Sequence, residues 1–187
     1  MHGSHGPAQA GFSLVEQVMV VALVAVLAGL ALPPLGRLMA DRRLQAAQFS
    51  YLAALRYARI AAIERNTPVL FCPSADGLGC GSHDDWARGW LLAVDRDRDG
   101  QPDAAPLRAG RVDRHTTVTG TAGRERVRFL PDGSAGGSNL SLLICTQGDR
   151  RRALRVVIAN TGRIRGATAS AGQAATCLAM AARPPAL

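Results

Sequence analysis

Polar and apolar positions divide the chain into three textures. Residues 1–11 are polar and free of Leu, Val or Ile, so they lack the apolar core of an ordinary secretory signal. From Phe12 the chain turns almost continuously apolar, and between Val18 and Leu35 it carries no charge. Counted from Phe12, the run is long enough to cross a bilayer core of roughly 30 Å at about 1.5 Å per residue. Pro33 and Pro34 close it and predict a kink or local opening rather than a stop. Helical spacing then resumes. Leu44, Ala47, Tyr51, Leu55, Ala58 and Ala62 recur at three- and four-residue steps, with Arg42, Arg43, Gln45, Arg56, Arg59 and Glu64 largely off that stripe. Asn66-Thr67-Pro68 ends the pattern. One helix is therefore predicted from about Phe12 to Arg65, apolar in its first half and amphipathic in its second.

Beyond Pro68 short β-type runs alternate with Gly, Pro and Asp. Strands are predicted at Val69–Cys72, Gly89–Val94, Thr116–Thr119, Arg126–Leu130, Leu140–Cys145 and Leu154–Ala159. Strict alternation in Arg124-Glu125-Arg126-Val127-Arg128-Phe129 puts Arg124, Arg126 and Arg128 on one face. Pro131-Asp132-Gly133 is turn chemistry. Residues 166–187, rich in Ala, Gly and Ser, are expected as a loose tail, held if Cys177 is paired. The fold class is α+β: a long N-terminal helix, transmembrane then amphipathic, packed on a small antiparallel β domain.

Composition sharpens this picture. All 22 basic side chains are Arg, and the net charge of +8 makes an anionic partner plausible. Cys72, Cys80, Cys145 and Cys177 have no C-x-x-C spacing, which argues against zinc and for disulfides in an oxidising compartment. Four cysteines allow three connectivities. Cys72–Cys80 closing a Gly-rich loop with Cys145–Cys177 pinning the tail is the favoured set, and four free buried thiols is the alternative.

Glu16 needs an explanation, because a carboxylate near the start of a membrane-spanning helix is costly without a partner. If the chain is cut before Phe12, a new α-amino group lies close by, and an amine–carboxylate pair between subunits would set their register. Gly11-Phe12-Ser13-Leu14-Val15-Glu16 followed by a long apolar helix closely resembles the class III signal of type IV pilins and pseudopilins. The resemblance implies cleavage between Gly11 and Phe12 by a prepilin peptidase, N-methylation of Phe12, and subunit docking through Glu16. Three later segments, Gly89-Trp90-Leu91 leading to Val94-Asp95, Phe129-Leu130-Pro131-Asp132-Gly133, and Gly162-Arg163-Ile164-Arg165, resemble the GspH/FimT group of minor pilins. The family implies a helix plus two small packed sheets. It also implies a leader over residues 1–11, a transmembrane half-helix over 12–35 and an amphipathic half over 36–66. A pilin-like globular domain over 67–166 and a tail over 167–187 complete the division.

From Arg111 to Arg165 eleven arginines stand against four acids. Guanidinium groups bind phosphate at two points, and a cluster of them makes a salt-sensitive site that ignores sequence. Few aromatics lie among them, so duplex backbone fits better than stacked single strands. Gly162-Arg163-Ile164-Arg165 resembles the G-R-x-R motif of FimT-type pilins that bind DNA in natural transformation. The candidate DNA-binding residues are Gly162, Arg163, Arg165, Arg150, Arg151, Arg152 and Arg155, and a solvated strand edge kept from pairing by Arg is the structural alternative.

Asp95-Arg96-Asp97-Arg98-Asp99-Gly100 opens like an EF-hand loop, but Pro106 stands where that loop needs Glu. A solvated Asp-rich turn is expected instead. Ser82-His83-Asp84-Asp85 offers no catalytic geometry, because adjacent residues cannot form a triad among themselves. No enzyme activity, cofactor or metal is expected. The expected partners are other pilins through the N-terminal helix, a prepilin peptidase, double-stranded DNA and the inner membrane. The expected site is the inner membrane as a single-pass protein with a periplasmic domain, before assembly into an extracellular pilus or periplasmic pseudopilus. The alternatives are a FimU-like structural subunit that primes pilus assembly and a GspH-type pseudopilin of type II secretion.

Overall fold

Helix α1 (Leu14–Glu64) occupies the predicted segment and keeps helical backbone through Pro33 and Pro34. The computed structural model describes residues 13–81, 86–121, 123–146 and 152–181, with all side chains among them except those of residues 30–35 and 37. The helix ends by local chemistry. Asn66 takes the left-handed conformation at φ 48°, and the N–H groups of Asn66 and Thr67 donate back to the carbonyls of Ile63 and Ala62.

The chain divides into two compact units, residues 1–38 and 39–187. In the first, the α1 side chains from Leu14 to Leu27 stand exposed, Glu16 among them. Among the described residues no helix is long and apolar enough to cross a membrane; the described side chains of the apolar run stop at Gly29.

The second unit holds two four-stranded antiparallel sheets. Strands β1 (Val69–Pro73), β2 (Gly89–Val94), β3 (Arg108–Arg111) and β5 (Val127–Phe129) lie in the order β3-β2-β1-β5. Strands β4 (Thr116–Thr119), β6 (Leu140–Thr146), β7 (Ala153–Ile158) and β8 (Ile164–Thr168) lie in the order β4-β6-β7-β8. The helical stripe turns inward as its spacing predicts. Leu44, Tyr51, Leu55, Ala58 and Ala62 are buried and Ala47 is half-buried. They join Phe71, Leu92, Val127 and Phe129 of the first sheet and Val118, Leu142, Ile144, Val156 and Ile158 of the second in one core. Burying each large aliphatic or Phe side chain contributes about 1.5–3 kcal/mol. The few aromatics are concentrated here. Phe71 stacks on Trp86 at 5.1 Å, Tyr51 meets Phe71 edge-on, and the Tyr51 hydroxyl donates to the Trp86 carbonyl at 2.7 Å.

Three elements differ from expectation. β3 and β8 are edge strands with mostly exposed residues and no apolar alternation; they exist because β2 and β7 offer them unpaired backbone groups. The segment expected as a loose tail contains helix α2 (Ala171–Ala181). Its start is a capping box. The Ser170 N–H donates to the Gln173 side-chain oxygen, and the Gln173 N–H donates to the Ser170 hydroxyl. That Ser-x-x-Gln spacing was the sequence signal, and Ala, the strongest helix former, fills the turns after it.

Both favoured disulfides are present, Cys72–Cys80 and Cys145–Cys177, and none of the four cysteines is free. The second ties α2 to β6 over a sequence separation of 32, where Cys145, Ala153, Ala174 and Cys177 form a small core of their own. Cutting it with Cys145→Ser should cost about 3–4 kcal/mol by loop-closure entropy. Hydrogen exchange should show α2 losing protection first, while β1 and β2 keep theirs.

Candidate nucleic-acid interface

Two loops with the same construction meet at one end of the second unit. In the first, the Gly133 N–H donates to the Leu130 carbonyl and the Leu130 N–H to the Ser134 carbonyl. In the second, which joins β7 to β8, the Gly162 N–H donates to the Ala159 carbonyl and the Ala159 N–H to the Arg163 carbonyl. Gly133 and Gly162 take φ 78° and 76°, so each turn closes on a left-handed residue that only glycine supplies cheaply. The Asp132 side chain accepts from the Ser134 N–H at 2.8 Å, and hydrogen bonds from Ser134 hold its carboxyl below the usual carboxylate range.

The loops are locked together. The Ala135 N–H donates to the Asn160 carbonyl at 2.8 Å, and Arg59 Nε of α1 donates to the Gly133 carbonyl at 2.9 Å. A Cβ on Gly162 would stand 1.8 Å from the Gly133 oxygen. The Pro131-Asp132-Gly133 and Gly162-Arg163-Ile164-Arg165 segments, far apart in sequence, are thus one structural joint. The glycine of the second motif is required by packing and is itself buried.

The arginines separate into those the fold uses and those it leaves free. Arg128 Nε donates to Asp95 Oδ2 at 2.8 Å and its terminal amine to the Arg98 carbonyl at 2.9 Å. Arg126 donates to the Gly100 carbonyl and pairs with Glu125. Arg124 donates to the Gly137 carbonyl. The basic face of that strand therefore ties down loops. Arg152 is engaged as well, in an ion pair with Asp41 at 2.9 Å. Arg155 is half-buried on β7, with its Nε buried and without a hydrogen-bond partner. Arg163 and Arg165 are exposed, and among the described residues their guanidinium groups hold no partner. β8 pairs Arg165 with Val157 and Ile164 with Ile158. Because Ile158 faces the core, Arg165 projects from the opposite face, the one that also carries Arg155. Arg150 and Arg151 lie outside the described residues.

The Asp-rich turn corrects one expectation. Asp97 and Asp99 are solvated, but Asp95 is fully buried. Its Oδ1 accepts from the Gly100 N–H and its Oδ2 holds Arg128. The ligand oxygens of Asp95, Asp97 and Asp99 lie within 4.8 Å of one another, yet a guanidinium already occupies the charge a cation would neutralise. Gly11, Phe12 and the Ser82–Asp85 run fall outside the described residues.

A family profile described as Type II transport protein GspH matches residues 50–162, well over half of the chain. The chain belongs to the GspH family. The family is one of structural, non-enzymatic components of type IV pili and secretion pseudopili. Among solved structures, the Pseudomonas aeruginosa type IV minor pilin FimU is similar at TM-score 0.56 and 22% identity, over 71% of this chain and 92% of that one. The Vibrio cholerae minor pseudopilin EpsH of the type 2 secretion system is similar at TM-score 0.50 and 13% identity, over 67% of this chain and 97% of that one. These likenesses show the pilin-like α+β fold. No curated protein sequence matches the chain. The match to the GspH profile ends at Gly162.

Proposed function

We propose that the chain is a FimT-like minor pilin that binds duplex DNA through the β7–β8 hairpin and the outer face of β8. The observation that carries this reading is that Arg163 and Arg165 are exposed together at the end of one hairpin. Arg124, Arg126, Arg128 and Arg152 are spent on internal carbonyls and acids, whereas Arg163 and Arg165 are exposed and, among the described residues, hold no partner. Guanidinium groups on a hairpin and its adjoining strand can meet successive phosphates of a backbone. Arg150 and Arg151 remain candidates from the sequence alone.

In this reading the apolar start of α1 anchors the subunit in the inner membrane with its globular domain in the periplasm. A prepilin peptidase cuts between Gly11 and Phe12, Phe12 is N-methylated, and Glu16 pairs with the new amine of a neighbouring subunit. Glu16 lies in the first turn of α1, where a carboxylate in an otherwise apolar helix needs a partner. The assembled pilus then presents the hairpin to DNA for uptake.

A second reading is a structural subunit, either a FimU-like primer of pilus assembly or a GspH-type pseudopilin. It is favoured by Gly162, whose presence is explained by its contact with Gly133 with no ligand at all. Fluorescence anisotropy of labelled duplex DNA against the full chain in lipid nanodiscs, at two salt concentrations, separates the readings. Arg163→Ala with Arg165→Ala should weaken binding by about tenfold and lower the slope of log affinity against log salt by about 2. Equal binding by wild type and double variant would remove the hairpin from the interface.

A further inference from the structure

The inner side of β8 meets α1 in a groove that the hairpin motif does not describe. Ile158 faces the core, so its partner Ile164 turns the same way, toward the helix. Arg56, Arg59 and Ile60 of α1 lie opposite, and with Ile164 they line a cavity of about 290 Å³. Arg56 and Arg59 are three residues apart, which puts their Cβ atoms about 5–6 Å from each other on one helix face. Arg56 is exposed and holds no partner among the described residues. Arg59 is half-buried, and its Nε is spent on the Gly133 carbonyl. That bond orients the guanidinium, while its two terminal amines hold no partner among the described residues.

Backbone groups add to the same place. β8 is the edge of its sheet. The Ala159 N–H donates to the Arg163 carbonyl and the Ala169 N–H to the Ala153 carbonyl. Alternation between those two bonds turns Arg165 and Ala167 toward β7 and leaves the N–H groups of Ile164 and Gly166 on the free edge. This edge runs between the groove and the outer face from which Arg165 projects. No acid lines the groove among the described residues. Asp132, on the adjoining turn, accepts the Ser134 N–H within its own loop. Ile60, 51% exposed, adds apolar surface that a deoxyribose can cover and a free phosphate cannot.

We propose that this groove is a second phosphate subsite of the DNA interface, so that the bound backbone continues from the hairpin arginines across the β8 edge to Arg56 and Arg59. The two guanidinium groups grip one phosphate, the edge amide of Ile164 donates to it, and the adjoining sugar lies on Ile60. The inference rests on the DNA reading above. It adds cations from α1, an element outside the Gly162-Arg163-Ile164-Arg165 motif.

Fluorescence anisotropy of labelled duplex DNA against the full chain in lipid nanodiscs, read across a salt series, tests it. Arg56→Ala should weaken binding about five- to tenfold near 0.1 M salt and lower the slope of log affinity against log salt by about 1. Arg56→Lys should restore most of that slope, because the charge returns. Arg42→Ala removes another exposed charge from α1. It lies about 20 Å along the helix from Arg56, beyond the Debye length of about 10 Å at 0.1 M salt, so it should leave the slope as in wild type. Adding Arg56→Ala to Arg163→Ala and Arg165→Ala should lower the slope by about 3 in all. A wild-type slope in Arg56→Ala, or equal losses in Arg56→Ala and Arg42→Ala, overturns the subsite. The DNA reading fails separately, if Arg163→Ala with Arg165→Ala binds as wild type does. Weakened binding in that double variant with Arg56→Ala unchanged removes the groove alone. Because Arg56 is exposed and unused by the core, its variants should melt at the wild-type temperature.

Discussion

Arg128→Ala should lower the stability of the globular unit by about 3–5 kcal/mol, the cost of stranding a buried carboxylate. Asp95 is completely buried, and Arg128, with its side chain 26% exposed, is the cation that meets it. The arginine also holds the Arg98 carbonyl, so its loss frees the Asp95–Gly100 turn as well as unpairing the acid. Removing both charges together, Asp95→Asn with Arg128→Ala, should recover much of the loss, because no ion is then left at this site. Thermal unfolding of the two singles and the double forms a mutant cycle. A midpoint for Arg128→Ala within a degree or two of wild type would mean that water reaches Asp95 and the pair is a surface contact. The expected shift is roughly 6–20 °C for a chain of this size.

Gly162→Ala should cost about 3 kcal/mol or more. The left-handed backbone accounts for about 1–2 kcal/mol of this. The remainder comes from a Cβ placed against the Gly133 carbonyl oxygen, which must move and so gives up its hydrogen bond from Arg59. Gly137→Ala is the control. Its φ of 84° carries the same backbone strain, but nothing lies within 4 Å of the added methyl, so it should cost only about 1 kcal/mol. Similar midpoints for the two variants would show that the turns yield easily and that the joint between them is not rigid. A DNA-binding defect in Gly162→Ala, measured well below its midpoint, would separate a role in shaping the hairpin from one in simple stability.

The elements legible in the sequence were those whose side chains carry the folding signal. The helix appeared in the spacing of Leu44, Tyr51, Leu55 and Ala62, and β2 and β4 fall on their predicted spans. β3 and β8 were invisible because edge strands draw their stability from a neighbour's backbone, and Arg108-Ala-Gly-Arg111 has no apolar face to announce it. α2 hides in an Ala-, Gly- and Ser-rich stretch with no marked apolar stripe, and only the Ser170 and Gln173 cap marks its start. In the candidate interface, sequence named Arg163 and Arg165 but could not separate them from Arg152, which an acid 111 residues away engages. Counting arginines along a chain measures field strength, whereas availability depends on which carbonyls and carboxylates folding brings within reach.

The sequence by itself determined the class of molecule: an apolar helix with Glu16 near its start, an inward stripe, a β-rich remainder and an even set of cysteines. Those are local or periodic properties, read from neighbours along the chain. Tertiary structure alone decided that Pro131-Asp132-Gly133 and Gly162-Arg163 form one joint, that Asp95 is buried on Arg128, and which arginines remain free. Each of these depends on contacts between distant segments, where close packing and the pairing of buried polar groups select the partners.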